Sequence, residues 1–372
     1  MLFTSESVTY WHPDKICDVI SDSILDECLK QDEYSRVACE CLITANKLVI
    51  AGEITTKAVV DYEQVARQTI VEIGYDSDDK YFNGNTCEVE VLIHTQSPDI
   101  AQWVDVWWAW DQWMMFWYAT NETENWMPLA KYFSDKLIRK LEQVRENGEI
   151  DYILPDWKCQ ITVDYDIDEN NNIIFNKITT VVLSTQHKKW VWQQLLRNDI
   201  TERVIKPVLW EYLSDDCHIY INPTWSFEIW WPAWDTWLTW RKIIADTYGG
   251  WWRHWWWAFS GKDPTKVDRS WALMARLVAK CVVKSWLATR CEVQLAYSIG
   301  ISEPVWVFVD CFGTNTIPEN HIVDIIKSNF YLSPNWIIKY LNLRQPNYKE
   351  TAKYWAFSSD KFTWEQANSL IY

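Results

Sequence analysis

The chain has 372 residues, 48% hydrophobic and 23% charged, room for two or three domains with sizeable cores. Its formal net charge of −16 excludes a general nucleic-acid-binding role, which needs a basic face, but leaves open a local cationic pocket for a small anion. No apolar run is suited to spanning a membrane: "WWAWDQWMMFWYA" (107–119) is too short and carries Asp111 and Gln112 inside.

The start, "MLFTSESV", lacks the basic segment and apolar run of a secretory signal. The ten cysteines contain no C-x-x-C pair and no zinc spacing. Free thiols in a reducing cytoplasm are therefore expected.

In chain order, residues 14–32 read as a helix, with Ile16, Val19, Ile20, Ile24 and Leu25 on one side and acids between them. Strands are expected at 36–43, 47–54 and 86–94, with a helix near 61–73. A second block places a helix at 129–146 and strands at 158–166, 172–183 and 218–222, with "DENNN" (168–172) as a turn. A third places a helix at 265–287, strands at 291–300 and 304–310, and a helix at 318–329. These make three similar αβ units joined by segments 97–118 and 222–262, which are expected to be loops.

Two clusters look chemical. "HPDK" (12–15) sets an imidazole, a carboxylate and an ammonium ahead of a helix, where backbone N–H groups favour anions. "RHWWWAFSGKDPTKVDRS" (253–270) places Lys262 and Lys266 four apart with Asp268 nearby. Arg241-Lys242 and Asp156-Trp157-Lys158 add further cations and a carboxylate. Each Lys alone is an ordinary surface charge. Gathered, they suit a polyphosphate with Mg²⁺: cations on phosphate oxygens, carboxylates on the metal.

One number is out of line: 29 Trp against 9 Gly, where Gly is normally about 7% of residues. The stretch "EIWWPAWDTWLTWRK" (228–242) repeats Trp every third residue. Spacing of three drifts off any helical face and misses strand alternation, so the pattern matches no regular element.

The motifs "LFTSESVT", "HPDKICD", "AGEITTKA", "TQSPDIAQ", "YATNET", "STQH", "INPT", "DTYGG", "AFSGKDPTKVDRS" and "RCEVQLAYSIG" stand in one order from residue 2 to Trp364-Glu365. In that order they resemble the S-adenosylmethionine synthetases. The resemblance implies an α/β (α+β) fold of three similar αβ domains around a pseudo-threefold axis, divided at 1–100, 108–227 and 228–372. It implies a cytoplasmic enzyme, a homodimer or homotetramer with active sites at the interface, needing Mg²⁺ (two per site) and K⁺. The reaction would join ATP and L-methionine: the sulfur attacks the ribose C5′, and the displaced tripolyphosphate is then cleaved to phosphate and diphosphate. No membrane or nucleic-acid partner is implied.

Carried over position by position, His12 would stabilise the leaving triphosphate oxygen. Asp14 and Asp268 would hold Mg²⁺, and Glu40 would ligate K⁺. Glu53, Gln96, Asp235 and Lys266 would contact methionine. Asp111, Asp156, Lys158, Phe227 and Ala258 would line the ATP site, with Asp235 reaching it too. Lys15, Arg241, Lys242 and Lys262 would hold phosphates. The family's residue type stands at every one of these positions.

The departures concentrate on glycine. The family pattern has Gly where this chain has Trp11, Trp103, Trp108, Trp110, Trp113, Trp117, Trp225, Trp230, Trp231, Trp234, Trp237, Trp240, Trp255, Trp256 and Trp257, and less strictly at Trp157, Trp252, Trp286, Trp336 and Trp355. Tyr10 also replaces an acid, Ser226 replaces an Arg, and the loop before Asp111 is several residues shorter than usual. Three readings compete: decay to a non-catalytic protein, an aromatic-rich binding or scaffold surface, or a gene whose UGA codons mean glycine read with a table in which UGA means tryptophan. Decay would scatter over many residue types and strike charged site residues too. The one-way change, with Gly249, Gly250 and Gly261 intact, favours the codon reading.

Overall fold

The computed structural model describes residues 1–78, 82–95, 113–224, 227, 235–254, 258–298, 301–357 and 359–372. The chain opens with strand β1 (Leu2–Val8) and helix α1 (Pro13–Gln31). The hairpin β2 (Arg36–Thr44) and β3 (Lys47–Thr55), helix α2 (Tyr62–Ile73) and strand β4 (Glu88–His94) follow. Next come β5 (Trp113–Thr120), α3 (Leu129–Glu146), and the long strands β6 (Ile153–Ile167) and β7 (Ile173–His187). Helix α4 (Gln193–Ile200) continues through a π turn (Thr201–Ile205) toward β8 (Leu213–Ile221), and β9 (Thr236–Leu238) lies beyond. The last third holds α5 (Val267–Lys284), β10 (Arg290–Tyr297), β11 (Trp306–Asp310), α6 (Glu319–Asn329), α7 (Pro334–Tyr340) and α8 (Tyr348–Tyr354).

Among the described residues three sheets form, ordered β4-β3-β2-β9, β1-β6-β7-β8 and β11-β10-β5. Each takes an edge strand from another part of the chain. β1 pairs antiparallel with β6, β5 with β10, and β9 with β2. The exchange is cyclic, as three similar units around a threefold axis would produce. It also corrects two expectations, because the supposed joining segments 97–118 and 222–262 contain most of β5 and all of β9. β1 was not expected at all, since its inward residues are serines. Their burial is satisfied by hydrogen bonds, Ser5 Oγ to the Gly249 carbonyl (3.0 Å) and Ser7 Oγ to Asp135 (2.8 Å).

Helix α1 starts at Pro13, whose missing N–H costs nothing at the first helical position. It is buried nearly all round, packed against α2, α8 and β2, so no single apolar stripe describes it. Aspartates recur along it at 14, 18, 22 and 26, all buried. At four-residue spacing they share one face.

The tryptophans fit this fold badly. Among the described residues ten non-glycine residues have positive φ, and five are Trp: Trp126, Trp190, Trp240, Trp286 and Trp355. Left-handed backbone costs an L residue about 1–2 kcal/mol, so five such sites cost about 5–10 kcal/mol, comparable with a whole protein's net stability. Trp355, at φ 64° and ψ 156°, occupies a region essentially reserved for glycine. The buried indole N–H groups of Trp11, Trp117, Trp157, Trp237 and Trp271 have no hydrogen-bond partner among the described residues. Each such group costs about 1–3 kcal/mol.

Trp286 gives a direct test. It follows the capping residue Ser285 of α5, and its N–H reaches the Val283 carbonyl while Leu287 N–H reaches Val282. This is the helix-ending motif whose first residue past the cap is usually glycine. The indole is 79% exposed, so little packing is lost on removing it. Trp286→Gly is expected to raise stability in urea by about 1 kcal/mol. An ordinary destabilisation would show that the left-handed turn carries no strain.

Candidate active site

The N-terminus of α1 organises the first group of site residues. His12 caps the helix, its Nδ1 accepting the Asp14 amide (3.2 Å), and is 5% exposed. Asp14 accepts the Leu238 amide (3.1 Å) and pairs with Lys242 (2.6 Å) and more distantly with Arg241 (3.8 Å). Burial lowers the His12 pKa, and the charges of Lys242, Lys158, Lys15 and Arg241 lower it further, so the imidazole is neutral at neutral pH. Asp156 is buried beside them, with neither carboxylate oxygen bonded among the described residues. Burial pushes its pKa up to about 7 against the opposing pull of Lys158 and Lys242. His12, Asp14, Asp156, Lys158, Arg241 and Lys242, from three distant stretches of chain, therefore form one electrostatic group.

Lys15 belongs there too, but its charge is already engaged. Its Nζ lies 2.7 Å from Asp246 and 3.1 Å from Asp18. Burial acts to lower its pKa, yet the two carboxylates outweigh it and the net shift is upward. Burial pushes Asp18 up to about 6, with Lys15 opposing.

A second group forms around Lys262. Its ammonium pairs with Asp268, and Lys266 pairs with Asp263 (3.3 Å). Lys262 is set by Gly261, whose amide donates to Asp22 (2.8 Å) and whose carbonyl accepts the Cys39 amide (3.0 Å). At φ 74°, with a Cβ there meeting the Cys39 carbonyl at 1.9 Å, only glycine fits. Glu40, on the neighbouring strand β2, has its pKa raised by burial against the opposing charge of Lys262. Glu53 faces solvent on β3, opposite Ala38.

Trp240 stands between the groups. Its amide donates to Asp18 (2.9 Å), its indole donates to the Ser260 carbonyl (2.7 Å), and Lys262 Nζ lies 4.6 Å from the ring centre. The cavity lined by Asp18, Trp240, Asp246, Ala258 and Ser260 measures only ≈ 10 Å³. That is room for about one water, not a triphosphate. A cleft of ≈ 570 Å³ between α1, α2 and α8 contains none of the expected site residues.

The remaining expected residues are more scattered. Buried Phe227 is tied through its backbone to the His187 backbone (3.1 Å) and ring (3.2 Å), Ala258 is buried, and Asp235 is exposed and accepts the Thr236 amide (2.8 Å). Gln96 and Asp111 lie outside the described residues. Sequence reading missed Asp18, Asp22 and Asp246, which hold the site's loops. For Asp18 and Asp22 the signal was present as the four-residue spacing of aspartates along α1; Asp246 had none.

Among the described residues no group of three or more His, Cys, Asp or Glu side chains could hold a metal. Two separate buried carboxylates, Asp14 and Asp268, each matched to a lysine, suit Mg²⁺, which takes one or two carboxylates and completes its shell with water and substrate phosphates. No described helix is long and apolar enough to cross a membrane.

Three sequence families match in succession: the N-terminal domain of S-adenosylmethionine synthetase over residues 1–98, the central domain over 108–227 and the C-terminal domain over 229–366. The S-adenosylmethionine synthase of Clostridium tetani is 48% identical, covering 99% of this chain and 97% of its own length. That of Mesoplasma florum is 46% identical, covering 99% and 98%.

Proposed function

The chain belongs to the S-adenosylmethionine synthetase family and is a methionine adenosyltransferase, and from that premise we propose how its residues divide the work. The observation that carries the proposal is the convergence of His12, Asp14, Asp156, Lys158, Arg241 and Lys242 at the start of α1. The family uses ATP and methionine with a divalent metal and a monovalent cation. Here the divalent ion is Mg²⁺, held by Asp14 and Asp268, and the monovalent ion is K⁺ on Glu40. Bound Mg²⁺ supplies charge neutralisation along the triphosphate.

Arg241, Lys242 and Lys262 bind phosphate oxygens. Neutral His12 donates an N–H to the oxygen that leaves C5′, stabilising charge as it develops. Asp156 and Lys158, with Asp111, Phe227, Asp235 and Ala258, position the nucleoside. Glu53, Gln96, Asp235 and Lys266 hold methionine so that its sulfur lines up with C5′. No covalent enzyme intermediate is needed, so positioning and charge do the catalysis.

The domains divide near 1–100, 108–227 and 228–372, and two or four copies assemble around shared sites in the cytoplasm. Exposed apolar residues on the sheets, Leu92, Met114, Trp306 and Phe308, support association, and ten free cysteines suit a reducing compartment. The working protein carries glycine at the family-glycine positions, which the strained and unpartnered tryptophans support. A non-catalytic scaffold finds no support in relatives named as synthases over their full length.

In the glycine-bearing protein, Asp14→Asn is expected to raise the Mg²⁺ concentration needed for half-maximal synthesis by about 10-fold or more. An unshifted Mg²⁺ requirement would remove Asp14 from the metal.

A further inference from the structure

Beyond the groups that meet substrate, we propose that Asp18 and Asp246 are positioning residues for the phosphate-binding cations, a reading that rests on the site assignment above. They form a clamp with Lys15 at its centre. The lysine's Nζ sits 2.7 Å from Asp246 Oδ1 and 3.1 Å from Asp18 Oδ2, with its side chain 3% exposed. The other oxygen of Asp18 accepts the amide of residue 240 (2.9 Å). Asp246 is itself the residue whose amide donates to the Lys242 carbonyl (2.9 Å).

The segment 238–246 is thus fastened to α1 at three points: Leu238 on Asp14, residue 240 on Asp18, and Asp246 on Lys15. Arg241 and Lys242 lie between the last two. Long cationic side chains lose considerable rotamer freedom when they settle on a ligand, and a backbone fixed beforehand reduces what remains to be ordered. With two carboxylates on its one charge, Lys15 serves as the strut of this clamp and does not meet phosphate.

The sign of the effect separates this role from simple electrostatics. Removing a negative charge beside a polyanion site should tighten anion binding. Loosening a clamp should weaken it. In the full-length protein carrying glycine at the family-glycine positions, Asp246→Asn is expected to weaken Mg²⁺–tripolyphosphate binding, read by titration calorimetry, by about 10-fold and to lower kcat similarly. KM for methionine should change less than about 2-fold, and Asp246→Glu should recover most of the loss. Unchanged or tighter tripolyphosphate binding overturns the clamp.

Lys242→Met is the control for the site assignment. If it too leaves tripolyphosphate binding unchanged, the assignment has failed; if it weakens binding while Asp246→Asn does not, only the clamp has failed. Should Asp246→Asn not fold, Asp18→Asn carries the same test from the other jaw.

Discussion

Peptides covering residues 228–268 of the protein from its native source are expected to have glycine masses at 230, 231, 234, 237, 240, 255, 256 and 257. The family pattern places glycine there, and the structure extends the expectation by a separate route. Trp286 and Trp355 combine a family glycine with left-handed backbone. Trp126 and Trp190 add left-handed backbone at positions where the resemblance gave no sign, Trp190 with its ring 92% exposed. Glycine masses are expected at 126 and 190 as well.

Trp364 is the internal control. It lies in a short 3₁₀ turn, is 2% exposed, and its indole donates to the Ala356 carbonyl (2.7 Å). Unlike Trp240, whose indole is also hydrogen-bonded but whose φ is 75°, Trp364 has no left-handed backbone, and its mass should be tryptophan. Were tryptophan found at 240 as well, the space beside Lys262 would be filled by an indole, the triphosphate would have no seat, and the chain would be a scaffold on the synthetase fold.

The regular elements were legible because their apolar periodicity survives. Helices near Tyr62–Ile73, Leu129–Glu146 and Glu319–Asn329 fall within a residue of the expectation. The elements that escaped are those whose burial is polar or shared. β1 buries serines, and β9 is three residues long and exists only because β2 offers an edge. Sheet exchange is a tertiary fact that no local pattern announces.

The site behaved differently. Its charged residues could be named through the resemblance, but their pairing could not. Nothing in "HPDK" says that the lysine faces Asp18 and Asp246 while the aspartate faces Lys242. That division follows from helical geometry, which sends residues 14 and 18 toward one loop and brings Lys15 round beside them.

Lys262→Ala in the glycine-bearing protein is expected to lower kcat by about 10²–10³-fold, the usual size for losing one donor to charge that develops in the transition state. The pairing of Lys262 with Asp268 makes the outcome informative. If Lys262 were only a counter-ion, its removal would free Asp268 for metal, so Mg²⁺ would bind more tightly and turnover would suffer little. If Lys262 holds phosphate, Asp268 is again freed, but the triphosphate loses a cation and turnover collapses whatever the metal does. Measuring Mg²⁺ affinity and kcat on the same variant separates the two roles. Folding should survive, because the main chain around Lys262 is held by the Gly261 contacts to Asp22 and Cys39, which the substitution leaves in place. Near-normal turnover with tighter Mg²⁺ binding would return Lys262 to the role of a counter-ion and leave the triphosphate to Arg241 and Lys242.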